Sequence, residues 1–177
     1  MNSLRILFRW LTLACALAMV LVLSGCEPPA PRKAQDMAVG ITGYNFTAEG
    51  VQEYYVNGSR GSNLPSYGGG GSTSCCVRLP GQWTPEVTVK VDWTIGHWTT
   101  AYETRKHLSI PEQIQCCFTE RTLSKTVPVE RYGEEGGRVQ VFFLPNDEIK
   151  VWVSNLGLGH ARHPSGVPYP RNPANPE

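Results

Sequence analysis

Val87-Thr88-Val89-Lys90-Val91-Asp92-Trp93 alternates apolar and polar side chains without a break. A period of two places Val87, Val89, Val91 and Trp93 on one face of a strand and Thr88, Lys90 and Asp92 on the other, so one face meets a core and the other meets water. The same period returns at Arg138 to Leu144 (RVQVFFL), which groups Val139, Val141 and Phe143, and at Glu148 to Ser154 (EIKVWVS), which groups Ile149, Val151 and Val153. Pro145-Asn146-Asp147 between them is made of turn residues, which predicts a β-hairpin. Upstream, Val39 to Thr47 and Val51 to Val56 read as strands, the second ending at Asn57-Gly58, a dipeptide suited to positive φ. Thr126 to Arg131 is a further alternating stretch, and a strand is expected at Cys75. About seven short strands without a convincing amphipathic helix make a mainly β, antiparallel β-sandwich-like single domain the economical architecture. A short helix fits between Thr104 and Gln115, although Pro111 stands against it.

The two ends of the chain have a different character. Arg5 and Arg9 precede a largely apolar run of 14 residues, Trp10 to Leu23, and then Ser24-Gly25-Cys26. Since a membrane-spanning helix takes roughly 20 residues, residues 1–25 read as a cleaved secretory signal. Leu23-Ser24-Gly25-Cys26 resembles the lipobox read by the bacterial lipoprotein-processing machinery, so Cys26 is the expected lipid-attachment residue and the membrane is reached through that lipid anchor. The resemblance to known lipoproteins, in which Asp after the cysteine is the commoner signal for the inner membrane, implies from Glu27 an outer membrane, with the protein facing the periplasm. Residues 26–37, rich in proline and charge, read as a lipidated tether, residues 38–159 as the β domain, and residues 160–177 as a Pro-rich tail. That tail cannot form regular helix or central strand, but it can pack as polyproline across the domain. Without Arg5 and Arg9 the 16 Lys and Arg fall to 14 against 15 Asp and Glu. A balance so near neutral argues against nucleic acid as partner, which demands a concentrated basic face.

Past Cys26 the cysteines form two adjacent pairs, Cys75-Cys76 and Cys116-Cys117. In an oxidising compartment they are disulfide candidates, and three connectivities are open. Cross-pairing is favoured if the pairs face each other on neighbouring antiparallel strands, because adjacent side chains then point to opposite faces and each face gains one bridge. Bridges within each pair would suit a redox switch better than a staple. Zinc is disfavoured because its ligands usually leave two or more residues between paired cysteines.

No Gly-x-Ser-x-Gly elbow, His-Glu-x-x-His pair or Walker-type loop occurs, so no catalytic residue, metal or cofactor is expected. His160-Ala161-Arg162-His163 reads as part of a solvated tail. The glycine run from Ser66 to Ser74 (SYGGGGSTS) lacks the lysine and the following helix of a phosphate cradle, and reads as a flexible loop. Trp83, Trp93, Trp98 and Tyr102 crowd one region. Core filling accounts for Trp93, whereas Thr94 to Thr104 (TIGHWTTAYET) is apolar enough for contact with another protein. The partner-binding candidates are therefore Ser66, Tyr67, Gly69 and Gly70 on the glycine loop, with His97, Trp98 and Tyr102.

Gly43-Tyr44-Asn45, Tyr55-Val56-Asn57-Gly58, Gly69-Gly70-Gly71-Ser72, Cys75-Cys76-Val77, Leu79-Pro80, Trp83 and the Val-x-Val-x-Trp strand ending at Trp93 together resemble an uncharacterised-domain family of small bacterial lipoproteins. Phe143-Leu144-Pro145, Val153-Ser154-Asn155, Gly157 and Gly159-His160 continue the likeness, which covers most of Val39 to Pro170; Cys116-Cys117 stands outside it. Members of that family are often encoded beside type VI secretion phospholipase effectors. The resemblance implies a non-enzymatic immunity lipoprotein whose protein partner is a secreted phospholipase effector that it binds and inhibits. The alternative is a non-catalytic envelope binding or assembly lipoprotein that recognises a sugar, a peptide or a secretion component.

Overall fold

The computed structural model describes residues 35–174; the expected signal peptide 1–25, the lipid-attachment residue Cys26 and most of the tether lie outside them. The strands are β1 (Met37–Asn45), β2 (Gly50–Val56), β3 (Ser59–Arg60), β4 (Gly68–Gly69), β5 (Ser74–Leu79), β6 (Thr88–Trp98), β7 (Phe118–Pro128), β8 (Arg138–Leu144) and β9 (Glu148–Ser154). One sheet runs β4-β1-β8-β9, with β5 also paired to β1, and the second runs β3-β2-β6-β7. The domain is mainly β, and its two sheets pack as a β-sandwich. The pairings are antiparallel except for β1 with β8, which run parallel from Ile41↔Val139 to Asn45↔Phe143. Among the described residues no helix is long and apolar enough to cross a membrane.

Alternation builds the core as the sequence predicts. Val87, Val89, Val91, Trp93 and Ile95 are buried against Val139, Val141, Phe143, Ile149, Val151 and Val153 of the facing sheet. Asn57 and Gly58 carry positive φ at the two-residue β2–β3 turn, and Asn146 and Asp147 do so at the β8–β9 turn.

Three expectations need correction. The cysteines do not cross-pair: the disulfides join Cys75 to Cys76 and Cys116 to Cys117. The first pair sits in a bulge where β5 meets β1, and the second ends a helix that leads into β7 of the other sheet, so the two pairs never lie on neighbouring strands. The stretch read as a strand at Thr126 to Arg131 is only the end of an 11-residue strand that starts at Phe118. The third correction concerns the tail, where His163 is buried instead of solvated. Its Nε2 lies 3.1 Å from Gln140 Oε1 and its Nδ1 lies 2.7 Å from Ser165 Oγ. Gln140 is fully buried and donates Nε2–H to the carbonyls of Ser154 and Leu156. Its Oε1 must therefore accept from His163, which makes the ring a neutral Nε2–H tautomer. Phe142 stacks on His163, Tyr169 meets the Tyr44 ring at 5.9 Å, and Pro170 is buried. The tail thus covers the outer face of the first sheet, and β8 is buried on both faces.

Candidate partner-binding site

β1 ends, β2 begins, β6 ends, β7 begins and the β8–β9 turn closes at one end of the sandwich. Asn45, fully buried, organises the crossing there: its Nδ2 donates to the carbonyls of Glu49 and Pro65 at 2.7 and 2.9 Å, and its Oδ1 accepts from the amide and hydroxyl of Thr47. That brace fixes Glu49 between His97 and Arg121. Glu49 Oε1 lies 2.9 Å from His97 Nδ1 and its Oε2 accepts from Arg121 Nη2 at 3.0 Å. Arg121 also forks onto Asp147 at 2.6 and 2.8 Å, and Lys125 donates to the Asp147 carbonyl.

Burial opposes ionisation of Glu49, yet hydrogen bonds from Arg121 and His97 outweigh it and hold the carboxyl below its ordinary value. Hydrogen bonding to Arg121 lowers Asp147 in the same way. A cavity of about 170 Å³ opens beneath this cluster, with Trp93, Ile95 and Phe143 in its walls and Glu49, Arg121 and Asp147 on its rim. Ionised Glu49 accepts from His97 Nδ1–H. Such a pair is half of a general-base arrangement, but no hydroxyl or thiol of the described residues hydrogen-bonds His97 Nε2.

The connection from β6 to β7 leaves the sheet between Thr99 and Cys117. It forms one helical turn, Tyr102–Arg105, and then a helix, Ile110–Cys117. Ser109 starts that helix: its amide and hydroxyl donate to Glu112 Oε2 at 2.8 and 2.6 Å, and Pro111 falls in the first turn, where a missing N–H costs nothing. The helix is turned inside out. Gln113 is its buried residue, while Ile110 and Ile114, one turn apart on the same face, are 64% and 51% exposed. Tyr102 is 61% and Trp98 39% exposed. Four of the five exposed large apolar side chains among the described residues therefore lie between 98 and 114. An amphipathic helix in a self-contained domain buries its apolar stripe, so this one presents its stripe to something else.

Beneath the patch, Arg105 stacks 3.8 Å from the Trp98 ring centroid and 5.3 Å from that of Tyr102. Its Nη1 donates to Gln113 Oε1 at 2.8 Å, and Gln113 donates in turn to the Leu108 carbonyl. Trp98 packs on Phe118 with 4.8 Å between centroids.

Of the residues expected to bind a partner, His97 sits at the charged mouth, and Trp98 and Tyr102 belong to the apolar patch. Tyr67 donates its amide to the Thr47 carbonyl beside the mouth, and Ser66 follows Pro65 in the segment that Asn45 braces, whereas Gly69 and Gly70 lie along β1. Gly68 and Gly69 pair with Asn45 and Tyr44, Gly70 donates its amide to the Gly43 carbonyl, and Tyr169 donates its hydroxyl to the Gly69 carbonyl. The glycines are thus a close backbone approach in the first sheet: a Cβ on Gly69, whose φ is +133°, would lie 2.2 Å from the Gly43 carbonyl oxygen. Glu49, Arg121, Asp147, Arg105, Ile110 and Ile114 were not among the expected residues. Ser109-x-x-Glu112, a capping box, with apolar residues four apart was the signal for the last two. The charged cluster joins residues up to 72 positions apart and leaves no local pattern. Cys26 lies outside the described residues.

No curated protein and no solved structure matches this chain. The family model described as "Protein of unknown function (DUF3304)" matches residues 44–151, a span that runs from Tyr44 on β1 to Val151 on β9 and holds both the charged mouth and the inverted helix. The chain belongs to the DUF3304 family.

Proposed function

We propose that this chain is a periplasm-facing lipoprotein that binds a secreted phospholipase and blocks it, acting as an immunity protein with no turnover of its own. The observation that carries the binding is the inverted helix, which holds Ile110 and Ile114 in water in the same connection that exposes Tyr102 and Trp98. A phospholipase must offer apolar surface to acyl chains, and a projecting apolar patch on a rigid scaffold is complementary to such a surface. The family description names no activity, anchor or partner, so the lipid anchor rests on Leu23-Ser24-Gly25-Cys26, and the phospholipase on the resemblance to lipoproteins encoded beside such effectors.

The placement of the patch supports this reading. The chain enters the domain at Met37, and the nine residues of β1 separate that point from Asn45 by about 30 Å at strand rise. The patch is at the Asn45 end, opposite the end at which the chain enters the domain. Tethering at the membrane under attack also raises the effective concentration of a blocker. The test is titration of the mature chain into a phospholipase encoded beside its gene, following lipid hydrolysis and complex formation together. Stoichiometric inhibition is expected, lost in the double variant Tyr102→Ala, Ile114→Asp with no change in thermal unfolding. Neither binding nor inhibition by the wild-type chain would overturn the proposal in favour of recognition of some other envelope component.

A further inference from the structure

Arg105 is a charge placed where a lone protein fold does not leave one. It is only 9% exposed, and a buried guanidinium is usually matched by a carboxylate because desolvation without one is costly. Here the two nearest carboxylates in sequence are committed elsewhere: Glu103 pairs with Lys106, and Glu112 caps its helix through Ser109. Among the described residues the guanidinium makes one hydrogen bond, from Nη1 to Gln113, and its Nε is buried with no partner at all. The faces of Trp98 and Tyr102 hold the plane in place, so Nη2, which makes no hydrogen bond among the described residues, is oriented but unanswered, while Nε is covered. Trp98, Tyr102, Ile110 and Ile114, the exposed apolar residues at positions 98–114, belong to the same stretch of chain as Arg105.

We propose that Arg105 is the receptor for an acidic side chain of the protein partner, an Asp or Glu that enters beside Tyr102 and pairs with the guanidinium at Nη2. The inference rests on the preceding reading of the patch as a partner surface and names its specificity determinant. An aromatic-stacked arginine loses little conformational freedom when it pairs and matches a carboxylate in a planar fork. Apolar contact at Ile110 and Ile114 supplies area, and the arginine rejects partners that lack a correctly placed acid, because their docking would seal a cation with no counter-charge.

The experiment measures the dissociation constant and dissociation rate of the mature chain with the neighbouring phospholipase for wild type, Arg105→Lys, Arg105→Gln and Ile114→Asp, with thermal unfolding of each variant. Arg105→Lys keeps the charge and loses the fork. It is expected to unfold like wild type and to bind about 30-fold or more weakly, chiefly through faster dissociation. An acid-to-amide scan of the phospholipase is expected to find one carboxylate whose loss weakens wild type but adds nothing to Arg105→Lys. Ile114→Asp abolishing binding while both Arg105 variants bind as wild type would overturn the role of Arg105 and leave the patch standing. Failure of the wild-type chain to bind would remove the partner reading, and this inference with it.

Discussion

Tyr54 and Tyr132 should answer the same substitution with opposite signs. Tyr54 is fully buried on β2 opposite Trp93, its ring edge-on to Phe143 at 5.1 Å, and its hydroxyl has no hydrogen-bond partner. Burial pushes the phenol well above its ordinary range, so it stays neutral and simply bears the loss of water. The hydroxyl points at the backbone of Gly43, where an added Cβ would meet it at 2.9 Å, and Leu64 walls the same spot. An unsatisfied buried hydroxyl costs about 1–3 kcal/mol, so Tyr54→Phe should stabilise the domain by that amount and raise its melting temperature by about 3–10 °C. Tyr132 is also buried but donates to the Pro80 carbonyl at 2.7 Å, so Tyr132→Phe should cost about 1 kcal/mol. Urea unfolding under oxidising conditions, followed by tryptophan fluorescence, reads both as shifts of the midpoint at unchanged slope. A loss of stability in Tyr54→Phe would refute the reasoning, because it would mean that the hydroxyl has a partner.

The tail, the charged mouth and the glycine approach each give a further expectation. Burial, with His160 nearby, holds His163 below its ordinary pKa; the unfolded chain then takes up the proton first, so stability falls as pH drops through about 6.5 and levels once the folded ring is also charged. The stability difference between wild type and His163→Asn, measured by urea midpoint from pH 8 to 5, should shrink across that window, well above the range where Glu49 and Asp147 titrate. Arg121→Met removes a guanidinium that is 46% exposed, so the loss should be about 1 kcal/mol, and midpoints in low and high salt should show a weaker salt dependence than wild type. Gly69→Ala forces a side chain into φ +133° against the Gly43 carbonyl; it should cost about 1–3 kcal/mol for backbone conformation alone, and amide exchange at Gly70 should quicken first.

What could be read in advance follows from where one face of a strand is buried and the other is wet. β6 and β9 alternate for that reason, and their reading holds residue by residue. β8 hid half of its role: Gln140 and Phe142 look solvent-facing beside Val139 and Val141, yet the tail covers them. β7 was mostly missed because it is an edge strand, and its inward positions include Arg121 and Lys125 where apolar residues would have marked the period. Inward-pointing charge is one way an edge is kept from pairing with foreign strands, and it erases the signal used to find the strand. The amides of Cys117-paired Thr99 and Val87-paired Val129 fix the ladder parity, which places Pro128 on the outward set, where a missing N–H breaks no ladder bond. At the candidate site, Trp98 and Tyr102 were legible as aromatics in excess of the core. Ile110 and Ile114 were obscured by Pro111, which reads as a breaker everywhere except in a first turn.

The inverted helix is carried without being needed for the core. Its connection contributes only Arg105 and Gln113 to the buried set, and these share one hydrogen bond. The surrounding fold holds it from both ends: the β6–β7 ladder pairs every residue from Thr88↔Pro128 to Trp98↔Phe118, and Thr99 continues it with an amide bond to the Cys117 carbonyl. Exposed apolar residues on a mobile loop would lose much of their binding energy to ordering, whereas a stacked arginine, a capping box and a long ladder order this segment in advance. The same independence makes the proposal decidable. A change on the outward face at Tyr102 or Ile114 removes contact area from a partner but almost none from the core, so affinity and stability should separate cleanly there, while at Trp93 or Val91 they would fall together.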